Sequence, residues 1–214
     1  MKYIFCFFML GAGFVFYGCT TCSVKQVPCE AFDEPAFSTW FPYTDKSMLL
    51  FKNTSTADTF SYIISGVGVS DAYTASRGGY NNRTQGCTSS AYIYALSNPA
   101  TNTSFSVDYD VLKIFDNGPV TKSLFISLLN SYWYAGAITE TTIEPVANNW
   151  TDSITITKVQ QLEFDNGHIY PAVVILSKDT LVNKNSKVHK LFIAKNSGII
   201  GFEMYPSKER WVIQ

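Results

Sequence analysis

Charge is what this chain has least of. Lysine, arginine, aspartate and glutamate make up 15% of its 214 residues, against roughly a quarter in an average soluble domain. The two signs nearly cancel, 16 basic against 17 acidic, which argues against nucleic acid or an anionic surface as direct partner. Histidine occurs only as His168, beside an Asn-Gly turn, and His189, in a lysine-rich strand edge. Neither context is that of a general base. No Gly-x-Ser-x-Gly elbow precedes a helix, so the usual hydrolase setting is missing. The histidines and scattered cysteines lack the spacing of a four-ligand zinc site, so no metal and no cofactor is expected. Arg77-Gly78-Gly79 has no following helix to make a phosphate cradle. Repeated helical stretches between strands are also missing, which excludes parallel βαβ units, and no internal repeat stands out.

One apolar run is present. Tyr3 to Tyr17 carries no charge and follows Lys2. It falls short of the roughly 20 residues of a membrane helix and has the layout of a secretory signal. Gly18-Cys19 closes it, and a small residue directly before cysteine is what lipoprotein signal peptidase needs. The expectation is a signal peptide over 1–18 and a diacylglyceryl group on Cys19. Phe16 and Tyr17 depart from the Leu and Ala or Ser usual at those positions. Plain secretion and an uncleaved anchor are the alternatives. Residues 19–39 then read as a lipidated tether. Residues 40–214 read as a single β-rich domain, long enough to bury roughly 70% of its chain surface.

Five cysteines occur. Cys6 leaves with the signal and Cys19 takes lipid, so Cys22, Cys29 and Cys87 remain. In an oxidising envelope that means one disulfide and one free thiol. Cys29–Cys87 is the first choice and Cys22–Cys29 the alternative.

The body reads as strands and turns. Met48–Lys52 and Thr59–Val69 are strands, with Gly66 and Gly68 marking a bend. Asp71–Ser90 reads as a long polar loop. Phe105, Val107 and Tyr109 alternate with Ser104, Ser106 and Asp108, the two-residue period of a half-buried strand. Ser123–Trp133, with Leu124, Leu128, Leu129 and Tyr132 in a helical stripe, is the one expected helix. Asp165-Asn166-Gly167 and Asn196-Ser197-Gly198 each join two apolar runs as hairpins. The fold class is mainly β, an antiparallel sheet forming a half-barrel or a sandwich.

The aromatics are the best lead to a site. Tyr132, Trp133, Tyr134 and Trp150, with Tyr73 and Tyr80, fall outside the clear strands. Exposed, they would bind a glycan or another protein; buried, they would line a lipid cavity; core and edge packing is the plain alternative. Asp108 and Asp110 share a strand face, an arrangement that a calcium or glycosidase site uses, though carboxylates on a wet face are ordinary. Triplets starting at Asn53, Asn82, Asn102 and Asn149 fit N-glycosylation, which matters only in a eukaryotic source.

His168-Ile169-Tyr170-Pro171-Ala172-Val173, the Lys190–Ala194 and Gly198–Glu203 hairpin, and the late Trp211 resemble the ending of uncharacterised lipoproteins of Bacteroidetes-type bacteria. Trp40-Phe41-Pro42-Tyr43, then Phe51-Lys52-Asn53, is similar to their start. At fold level the arrangement resembles the lipoprotein-carrier half-barrels, which implies a curved sheet around a helix and room for acyl chains. Residues 71–160 carry no part of the likeness, and it transfers no functional residue. The expected function is a non-catalytic binding module, anchored by lipid in a bacterial envelope, meeting an envelope protein, glycan or lipid. A carrier of a lipid or hydrophobic ligand comes second and an envelope hydrolase third.

Overall fold

The structure is a computed structural model, and it describes residues 29–77, 84–98, 103–114, 119–146, 154–164, 167–179 and 187–214. It is built on one antiparallel sheet of 11 strands, nearly closed into a barrel. The order is β6-β5-β4-β3-β2-β1-β11-β10-β9-β8-β7. The strands are β1 (Met48–Asn53), β2 (Thr59–Arg77), β3 (Thr84–Asn98), β4 (Thr103–Ile114), β5 (Val120–Leu128), β6 (Ser131–Ala135), β7 (Ile154–Glu163), β8 (Ile169–Lys178), β9 (Val188–Ala194), β10 (Gly198–Met204) and β11 (Arg210–Ile213). Two meanders, β1–β6 and β7–β11, thus meet where β11 pairs with β1, Phe51 opposite Ile213. The fold is mainly β and antiparallel as expected, and its one sheet is closed further than the half-barrel expected.

Period-two alternation places the core. Phe105, Val107 and Tyr109 on β4, Leu124 and Ile126 on β5, and Ile193, Ile199 and Phe202 on β9–β10 face one interior and are fully buried. On β4 and β5 their intervening neighbours face outward, as the pleat requires; on β9–β10 the neighbours Phe192, Ala194 and Ile200 are buried on the other face. A smaller apolar cluster lies apart from it, where Phe164, at the end of the β7–β8 hairpin, meets Phe192 edge-on at 5.1 Å.

Ser123–Trp133 is not helical. It spans β5, a two-residue turn and the start of β6, with Leu128 paired to Ser131. Leu129 and Asn130 both have positive φ, 51° and 58°, the pattern of the type I′ turn that matches strand twist. Phe125 and Ile126, neighbours in sequence, are an outward and an inward residue of a strand. The helix that forms is α1 (Pro35–Trp40), which starts inside the stretch 19–39 read as tether and ends on the first residue of the expected domain. Pro35 opens it, where a missing N–H costs nothing. Phe37 stacks on Tyr109 at 5.9 Å, and the buried Trp40 donates its Nε1–H to the Thr139 carbonyl at 2.8 Å. The folded body therefore begins ahead of Trp40. The Asp71–Ser90 loop also differs. Most of it is ladder, with Tyr73–Arg77 of β2 pairing Thr84–Thr88 of β3. Small hydroxyl side chains suit this close pairing, as in the Ser70–Ser90 hydrogen bond of 2.6 Å.

Candidate functional site

The two ends of the barrel are finished differently. At one end α1 and the chain around it fill the opening. Thr39 accepts a hydrogen bond from the Asn196 N–H in the β9–β10 turn at 2.8 Å. Glu34 pairs with Lys122 at the start of β5. Cys29 and Cys87 form a disulfide that fastens the segment to β3.

The other end carries the β1–β2, β5–β6 and β10–β11 turns and holds a cavity of about 280 Å³. Phe60, Leu129, Met204 and Trp211 line it, with Thr103 and the exposed Lys187 completing the rim. Thr103 is buried and hydrogen-bonds Tyr62 Oη at 3.0 Å. Trp211 packs between Phe60 at 4.9 Å and Phe202 at 6.0 Å. Its buried Nε1–H has no hydrogen-bond partner among the described residues. Among the described residues the large side chains Trp40, Tyr62, Tyr109 and Trp133 are closed to solvent in the interior. Room for a ligand lies at the mouth. Nothing in the sequence drew these six lining residues together, because they come from separate strands and turns.

The aromatic residues expected to act together are separated by the pleat. Tyr132 and Tyr134 lie on the outer wall, 46% and 47% exposed, while Trp133 between them points into the core with 0% exposed. Trp133 packs beneath the Lys178 ammonium, 5.0 Å from its ring centre. Phe125 on β5 joins the outer pair, 5.9 Å from Tyr132 and 4.9 Å from Tyr134. Trp150, Tyr80 and Cys19 lie outside the described residues.

Asp108 and Asp110 also face outward, next to this wall. Asp108 sits between Tyr92 on β3 and Phe125 on β5 in the ladder. Burial holds both carboxyls above the usual carboxylate range. For Asp108 a hydrogen bond from Ser106 opposes the shift and the Asp110 charge adds to it. His168 lies exposed at the β7–β8 turn, and His189 sits on β9 with Nε2 3.1 Å from Glu203. Neither histidine joins the aspartates. Among the described residues no group of three or more His, Cys, Asp or Glu side chains could hold a metal ion. The triplet asparagine Asn53 is 2% exposed, and its Oδ1 accepts the Ser55 and Thr56 N–H groups of the β1–β2 turn. It is thus committed to the turn. Asn82, Asn102 and Asn149 lie outside the described residues.

No protein-family model matches the chain, and neither a curated protein nor a solved structure does.

Proposed function

We propose that this chain is a non-catalytic binding module of a bacterial envelope, anchored through lipid on Cys19, that takes a small hydrophobic ligand in the mouth of its barrel. The cavity carries the reading. Its volume of about 280 Å³ is just under the roughly 300 Å³ where sites for drug-sized ligands begin. It suits a short amphiphile or one end of an acyl chain. The apolar lining accepts the chain, and Lys187 at the solvent edge meets an anionic head. The anchor is supported by Lys2, the uncharged run and Gly18-Cys19. Because Cys29 is fastened at the plugged end, the mouth opens away from where the tether enters.

Titration with lauric acid by calorimetry tests the ligand site. Saturable binding to one site is expected, lost in Met204→Trp, which fills the mouth. Lys187→Ala should weaken lauric acid and leave lauryl alcohol unchanged. If lauric acid and lauryl alcohol both fail to bind, the mouth is not a ligand site. The anchor is tested by mass after gentle extraction from the native membrane. A chain beginning at Cys19 with added diacylglyceryl mass is expected; a chain beginning elsewhere without lipid would remove the anchor.

A further inference from the structure

The outer wall of β2–β6 has an unusual arrangement of rings. Gly66 and Gly68 on β2 stand opposite Tyr94 and Tyr92 on β3. Both glycines lack the side chain that would lift the rings. A Cβ on Gly66 would overlap the Tyr94 ring, and one on Gly68 would lie 2.8 Å from Tyr92 Oη. The tyrosines therefore lie down across β2 and show their other faces to water. Their ring centres are 6.0 Å apart and their planes differ by only 25°, so the two rings present faces of similar orientation over β2. Tyr94 remains 45% exposed although the glycine side of its ring is covered.

Beside the two rings the side chains are short and accept hydrogen bonds. Asp108 follows Tyr92 in the ladder, Ser106 follows Tyr94, and Phe125 with Tyr134 closes the far side. Tyr92 and Phe125 are two strands apart, about 10 Å, so the polar Asp108 and Ser106 lie between two aromatic groups. These rows hold no lysine or arginine. Carboxylates and the negative faces of aromatic rings repel an anionic partner. They complement a ligand with weakly positive C–H faces and many hydroxyl donors.

We propose that this wall is a carbohydrate-binding face for a neutral glycan, with Tyr92 and Tyr94 stacking on sugar rings and Asp108 and Ser106 accepting from sugar hydroxyls. The partial burial of Asp108 fits, since a carboxylate already half stripped of water loses less on binding. The site is separate from the mouth cavity and does not depend on it.

The test is native affinity electrophoresis of the purified protein in gels holding laminarin, mannan, starch or xylan, with alginate as the anionic comparison. Retardation by at least one neutral polysaccharide and none by alginate is expected. Removing one ring should cost about tenfold in affinity. Tyr92→Ala/Tyr94→Ala should abolish retardation while lauric acid binding is unchanged. Gly66→Ala keeps every tyrosine but tilts Tyr94, and should weaken binding as Tyr94→Ala does. Tyr94→Phe should retain it, and Asp108→Asn should weaken it. Absence of retardation by all four neutral polysaccharides overturns the proposal, as does equal binding by the double variant. Flotation with phosphatidylcholine vesicles that depends on Tyr92 and Tyr94 would reassign the face to lipid.

Discussion

Tyr43 ties the chain before β1 to the β9–β10 hairpin through one atom. Its buried Oη accepts the Ile199 N–H at 2.6 Å, and its ring covers Gly198, whose φ of 78° suits a residue without Cβ. Burial pushes the phenol well above its ordinary value. Tyr43→Phe strands a buried N–H, so a loss of about 1–3 kcal/mol is expected in urea unfolding. A change within about 0.3 kcal/mol would show that water takes over the bond. His189 gives a pH signature. Glu203 lies at 3.1 Å, with Lys190 and Arg210 on the same carboxylate and the Tyr205 ring beside the imidazole. Burial lowers the His189 pKa, Lys190 adds to this, and Glu203 with the Met204 carbonyl opposes it. The unfolded chain then binds the proton more readily than the fold does. Stability should fall as pH drops from about 6.5 toward the lowered value, and level off below it. Asp108 and Asp110, with raised values, act in the opposite sense at more acid pH. Urea midpoints from pH 7.5 to 5 should therefore fall less in His189→Gln than in the parent. Parallel curves would mean that Glu203 cancels the burial.

The disulfide and α1 act as one closure element. The Cys29–Cys87 bond spans 58 residues, for which chain entropy gives about 4 kcal/mol as an upper value. Phe37 and Trp40 hold the same segment by packing, so part of that constraint survives reduction. Cys29→Ser/Cys87→Ser should lower stability by about 2–4 kcal/mol in urea and leave lauric acid binding at the far end unchanged. A loss of binding would show that plug and mouth are coupled. This element also marks what was legible in the sequence. Alternation along Phe105–Tyr109 and the turns at Gly167 and Gly198 gave strands where strands are. The aromatic start Trp40-Phe41-Pro42-Tyr43 was legible as core, but Ala36 and Phe37 ahead of it, in a stretch of mixed polar and proline residues, were not. The helix was misplaced because Leu124, Leu128 and Leu129 happen to fit a helical stripe, while the type I′ turn at Leu129-Asn130 uses no glycine. The ladder beyond Ser70 was hidden because serine, threonine and glycine look like loop until a partner strand is known. Tyr132 and Tyr134 were legible as aromatics, but only the pleat separates them from Trp133. The tyrosines over Gly66 and Gly68 needed the β2–β3 register, which carries no local signal.

The sheet as a whole closes through its middle and stays open at its ends. β1 and β11 join the two meanders by backbone hydrogen bonds, whereas β6 and β7 are not paired with each other. Side chains bridge the two meanders near this gap: Lys158 on β7 reaches Glu144 in the segment after β6 at 3.3 Å, and Lys178 on β8 lies over Trp133 on β6. The first pair is about half exposed on each side, so screening leaves it worth well under 1 kcal/mol. Glu144→Gln should shift stability by less than about 0.5 kcal/mol. The buried Trp133 does more for closure. Trp133→Ala should cost about 3–5 kcal/mol, while Tyr132→Ala next to it costs less than about 1 kcal/mol. Dynamics should follow the same map. Native-state hydrogen exchange should find β6 and β7 opening at a lower free energy than β9 and β10, which are paired along both edges. Trp133→Ala should speed exchange in β6 and β7 before it affects β1 or β11. If β6 and β7 instead exchange as slowly as β9 and β10, the seam is sealed in solution. A ligand then enters by the mouth and not through the seam between β6 and β7.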